Sequence, residues 1–198
     1  AFALGISAID YATSGGLGVY AKFSFEYHMI AHMLLGMVAP IGFVLSAPIT
    51  LALRTLPIGR TSDERGIRGN LIALLHSKYF QVVSNPIVAL AIFDGSLFAL
   101  YMTPLFGDLM QSHFGHLFMS LHFLLAGTLF FHVIVGIDPS PKRVPYIVRI
   151  IILFAAMSIH AFFSIALMSA STLLDGGYFA SLDRPWSTDL LADQKAGG

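Results

Sequence analysis

No cysteine occurs among the 198 residues, and charge is scarce, with only 11% of side chains being Asp, Glu, Lys or Arg. The first absence excludes disulfide staples, zinc ribbons, thiol redox motifs and thiolate-based metal transfer. The second is unlike an ordinary water-soluble domain, in which about a quarter of residues are charged. Eleven basic and eleven acidic side chains cancel to zero net charge, so nothing draws the chain toward nucleic acid. What is abundant is apolar: 56% of residues are hydrophobic and the mean hydropathy is +0.77, which is membrane composition. The groups left for binding are eight histidines, eight methionines and a few carboxylates.

A bilayer core about 30 Å thick needs about 20 apolar residues per helical span. Four stretches meet that need, at approximately 26–53, 82–106, 113–137 and 147–172. Pro40 and Pro48 interrupt the first, which predicts a kinked or tilted helix. Asn85-Pro86 and Thr103-Pro104 bracket the second, where they suit entry and exit turns. The stretch 67–80 reads as a short amphipathic helix on the membrane surface, with His76 as an interfacial side chain. Residues 1–9 are apolar but too short to span, and read as the tail of a preceding helix in a longer protein. The expected fold is therefore all-α, a polytopic membrane bundle of about four transmembrane helices and one short interfacial helix. No repeat or linker divides it, so residues 1–198 read as one transmembrane domain and as a fragment of a longer polytopic chain.

Lysine and arginine are retained on the cytoplasmic side of a membrane. Arg54, Arg60, Arg65, Arg68 and Lys78 fall in segment 54–78, and Lys142, Arg143 and Arg149 in or beside loop 138–149, leaving only Lys22, Arg184 and Lys195 elsewhere. Alternation then places 10–25, 107–112 and 173–198 outside. The expected location is a bacterial plasma membrane, crossed several times.

Ionisable groups within a membrane are costly and mark function by default. His28 and His32, in HMIAHM, share a helix face at four-residue spacing. His113, His116, Met119 and His122 recur every third residue in SHFGHLFMSLHF, and at 100° per residue the last three cover about a third of the helix surface. His160 sits near mid-depth in the fourth span, and Asp94 at the middle of the second. Five histidines, His28, His32, His116, His122 and His160, thus reach the outer half of the membrane, while His132 lies deep on the inner side. Ordinary packing accounts for Met29, Met37, Met110 and Met157.

Imidazole suits copper, zinc and iron, whereas thioether selects Cu(I), so a His/Met set without cysteine leans toward copper. Asp94 is placed to orient a liganding imidazole through its second ring nitrogen, or to rest as a neutral, desolvated carboxyl. Other readings stay open. Haem b held by His122 and His160 would make the chain a cytochrome. A path through Asp94 and the histidines to His132 would make it a copper or proton transporter. A purely interacting subunit would bind no metal.

The strings HMIAHMLLGMVAPIGFVLSAPITLALR, FDGSLFALYMTPLF, SHFGHLFMSLHFLLAGTLFFHVIVGIDPSPKR and MSIHAFFSIALMSASTLL, followed by RPW and LADQKAGG, resemble the CtaG-type cytochrome c oxidase assembly family. The resemblance runs over about residues 20–198 and is nearest to the actinobacterial form, in which this domain follows a CopD-like domain in the same chain. It implies a non-enzymatic integral membrane factor that supplies copper to apo cytochrome c oxidase subunits from the outer face. The positions it implies as metal ligands are His28, His32, His113, His116, Met119, His122 and His160. Asp94 is not among them.

Overall fold

The computed structural model describes residues 1–57, 66–140, 143–184 and 189–198. Arg60, Arg65 and Lys142 of the basic segments, Pro141 of the DPSP turn, and Pro185 and Trp186 of RPW lie outside the described residues. Every regular element among the described residues is helical.

The chain opens with α1 (Phe2–Thr13) and the short α2 (Gly16–Tyr20). Residues 1–9, expected as a helical tail, are thus most of a helix that packs on the second half of the first long span. That span, α3 (Phe25–Val44), is 20 residues long and widens into a π turn at Leu34–Val38. Pro40 follows one residue later, and the wider turn takes up the disruption where proline has no N–H to donate. The expected stretch 26–53 does not continue as one helix. Pro48 would clash with the Val44 carbonyl if the helix ran on. Instead Ala47 turns into the left-handed region at φ 49°, and Pro48 becomes the first residue of α4 (Pro48–Thr55).

The expected surface helix at 67–80 divides into α5 (Ile67–Leu75) and α6 (Lys78–Val83). The break falls at His76-Ser77, where the Ser77 hydroxyl accepts a hydrogen bond from the Phe80 N–H at 3.1 Å and starts α6. His76 is exposed. Helix α7 (Pro86–Tyr101) opens on Pro86 with Asn85 as its cap and stops before Thr103-Pro104, so both turns fall where the prolines predict. Its 16 residues cover about 24 Å, making it the shortest of the four spans. The brief α8 (Leu105–Met110) leads into α9 (His113–Val135), capped by Ser112, and α10 (Tyr146–Ser169) follows. The last element is α11 (Leu190–Ala196). Three helices, α3, α9 and α10, are long and apolar enough to cross a membrane, and α7 is a shorter apolar fourth.

Helix α9 packs against α3 and α7, and α10 packs against α7. At one end Tyr101 of α7 meets His32 of α3 and Phe163 of α10, while His116 of α9 meets His28. At the other, Asp138 accepts hydrogen bonds from the Ile49 and Thr50 N–H groups at 3.2 and 2.7 Å. There Arg149 also donates to the Val135 carbonyl at 3.1 Å, satisfying a helix end that has no partner of its own. The four long helices therefore alternate in direction. Most of α10 presents exposed side chains such as Ile151, Phe154, Phe162 and Ile165. An apolar helix with so little protein cover is matched to lipid.

Candidate metal centre

The histidine-bearing start of α3 is held by a residue distant in sequence. Asp193 of α11 accepts from the Ser24 hydroxyl at 2.6 Å and from the Phe25 N–H at 2.8 Å. These satisfy donors at a helix N-terminus, where a negative charge is also favoured by the helix dipole. Gln194 fastens the same segment, accepting from the Leu174 N–H and donating to the Thr172 carbonyl. Glycine lets the helices close up around this end. A Cβ on Gly127 of α9 would run into the Gly36 carbonyl of α3, so α9 rides directly on the α3 backbone.

Three of the seven expected ligands meet there. The rings of His28 and His32 are 4.1 Å apart between centroids, and His28 and His116 are 5.8 Å apart. His28 is fully buried, His32 is 4% exposed, and His116 is half-buried. Their surroundings are aromatic: Phe106 lies 5.1 Å from His28, and Phe123 lies 4.6 Å from His32. Met119 is buried in the same apolar cluster. His113 is exposed at the start of α9 and lines a cavity of about 320 Å³ together with His32 and His116. Tyr178 forms part of the cavity wall, and burial pushes its phenol above the ordinary value.

The nitrogens in this cluster are poorly satisfied. Among the described residues neither ring nitrogen of His28 meets a partner at hydrogen-bond geometry, although the Ala21 backbone lies close. His32 Nδ1 is 2.7 Å from the Tyr101 hydroxyl, while its Nε2 has no partner. A buried polar atom without a partner costs free energy and calls for a ligand or water. If Nδ1–H donates to the Tyr101 oxygen, the Nε2 lone pair is left free to bind a metal. Among the described residues no three His, Asp or Glu side chains already converge on one point. Ring rotation is needed before three nitrogens can share a centre.

His122 and His160 are not part of this group. His122 lines a separate cavity with residues such as Tyr79, Ile92 and Phe118. His160 packs on Phe93 and brings Nδ1 within 2.6 Å of Asp94 Oδ1. The two groups are not aligned as a hydrogen bond, and the same Nδ1 lies 3.3 Å from the Ala156 carbonyl, so the pair is a close polar contact. Asp94 thus does engage an imidazole, but one away from the His28 cluster. The two histidines considered for haem have different neighbours. His132 is buried, with the Phe80 ring 6.0 Å away.

Tyr101, Asp193 and Gln194 are absent from the expected site. Tyr101 was signalled only by a hydroxyl at the outer end of an apolar span. Asp193 and Gln194 belong to the LADQKAGG string, but spacing alone gives no hint that it folds back on residue 24.

A family model described as cytochrome c oxidase caa3 assembly factor (Caa3_CtaG) matches residues 1–198. The match therefore takes in α1 and α2, beyond the stretch from about residue 20 that carries the resemblance. Among relatives, uncharacterized protein Mb0105 of Mycobacterium bovis and uncharacterized protein MT0111 of Mycobacterium tuberculosis are each 42% identical over 198 residues, all of this chain. Uncharacterized protein ML1998 of Mycobacterium leprae is 41% identical over the same length. The chain spans about 30% of the length of these relatives. No solved structure matches.

Proposed function

The chain belongs to the cytochrome c oxidase caa3 assembly factor (Caa3_CtaG) family, and on that premise we propose that it holds copper at His28, His32 and His116 and passes it to an apo cytochrome c oxidase subunit. The observation that carries this reading is the buried imidazole cluster with unpartnered nitrogens on His28 and His32. Imidazole with a nearby thioether fits copper without cysteine, and Met119 is available within the same apolar cluster. Copper is cargo here, so the bond set needs to be exchangeable rather than rigid. Centroid separations of 4.1 and 5.8 Å leave room for rotation to bring nitrogens to bonds of about 2 Å from a common ion. The site faces the extracytoplasmic side of the cell membrane, where copper is handled away from intracellular thiols. A CopD-like domain in the same chain is a further partner, in keeping with the greater length of the relatives.

Copper stoichiometry of the purified protein tests the reading. The wild type is expected to bind copper, and the His28→Ala/His116→Ala variant to lose it, with lower oxidase activity in cells. Equal stoichiometry in the two proteins overturns the proposal. A visible spectrum serves as a control against the haem reading, because a Soret band in the purified protein would transfer the function to a cytochrome.

A further inference from the structure

The 320 Å³ cavity beside the cluster contains histidines at three levels of exposure. His113 is exposed, His116 one helical turn further along α9 is half-buried, and His32 is buried. His28 lies behind them, with its ring next to both His116 and His32. Such a graded row does more than enclose an ion, because each imidazole is a stopping point less hydrated than the one before. Lys22 lines the same cavity and is exposed, placing a positive charge on the path of an arriving cation.

We propose that this cavity is the copper port of the protein, with His113 as the entry ligand that hands the ion to the resident set of His116, His32 and His28. The inference rests on the copper reading above. Each step exchanges one copper–imidazole bond for another, so no electron or proton is transferred and copper keeps its oxidation state. Stepwise exchange lets a small ion shed water gradually, instead of losing its whole hydration shell at the edge of an apolar aromatic shell. The Lys22 charge slows entry, and salt screens it. His113 acts on the rate of loading, while the buried histidines hold the ion at equilibrium.

Stopped-flow loading of the full chain in detergent from the cationic acetonitrile complex of Cu(I) separates these roles. His113→Ala, an exposed position that the fold tolerates, is expected to slow loading several-fold and leave the final stoichiometry unchanged. Lys22→Gln is expected to speed loading at low salt, with the difference shrinking as salt rises. A His113→Ala rate equal to wild type overturns the port, and so does a loss of stoichiometry, which would make His113 a resident ligand. A wild-type protein that takes up no copper overturns the underlying function as well. Normal wild-type binding with an unchanged His113→Ala rate overturns the port alone.

Discussion

Tyr101 and His32 share one hydrogen bond of 2.7 Å inside the protein, and its direction decides which His32 nitrogen keeps a free lone pair for the proposed copper. Removing the oxygen in Tyr101→Phe leaves the ring packing in place but frees the imidazole to turn. Loss of such an outer hydrogen bond lowers metal affinity by about 10- to 100-fold, against a stability change of about 1 kcal/mol. Competition against a copper chelator checks this, and an unchanged affinity would mean that packing on Phe123 alone orients His32. The Asp94–His160 contact yields a second expectation. Because Asp94→Leu removes the buried carboxyl that faces the His160 imidazole, it should lower the thermal midpoint. Asp94→Leu/His160→Leu should recover part of that loss, since well-packed apolar side chains often replace a buried polar pair without loss. Neither should change copper stoichiometry, and a loss of copper in the double variant would bring His160 back among the ligands. Residue type and helical spacing bring His28, His32 and His116 into the candidate set. The same two signals give His122 and His160 equal standing, because residue type and depth are written in one helix while the facing neighbour is set by another.

The elements show the same division between local and distant information. Pro86 and Thr103-Pro104 announce the ends of α7, since a proline fixes its own dihedral and removes its own donor. Pro48 ends a span by the same physics, yet the apolar run continues to residue 53 and disguises the break. The attachment of α11 has no local signal, because Asp193 acts on Ser24 and Phe25 across the sequence. Asp193→Ala strips the acceptor from the start of α3, and loss of such a cap costs about 0.5–2 kcal/mol. The expected result is a lower unfolding midpoint in detergent together with weaker copper binding, since His28 lies one turn along. An unchanged midpoint would show that water replaces the carboxylate without loss. The α3–α9 crossing is more demanding. Small residues let membrane helices approach backbone to backbone, and any side chain at Gly127 meets the Gly36 carbonyl. Gly127→Val should therefore separate the two helices that carry His28 and His116 and abolish copper retention, whereas Gly95→Ala, where a Cβ meets nothing, should leave it intact.

Across the whole molecule, most of the described basic residues and the histidine cluster lie at opposite ends of the bundle. Lys78, Arg149 and the helix carrying Arg54 gather where Asp138 ties α4 to the turn after α9, while the histidine cluster lies at the end shared by Tyr101, His116 and Phe163. The zero net charge conceals this arrangement, because a sum has no direction. Basic residues stay with the cytoplasm during insertion, so the asymmetry predicts that the histidine end is extracytoplasmic. The absence of cysteine from these 198 residues makes the orientation directly measurable, since an introduced thiol is the only one among them. Gln111, exposed just before α9, and Thr55, exposed at the end of α4, mark the two ends. In intact cells a membrane-impermeant maleimide should label Gln111→Cys and spare Thr55→Cys, which should react only after permeabilisation. The reverse pattern would turn the copper port toward the cytoplasm, where thiols compete for the metal, and delivery from the outer face would no longer be tenable.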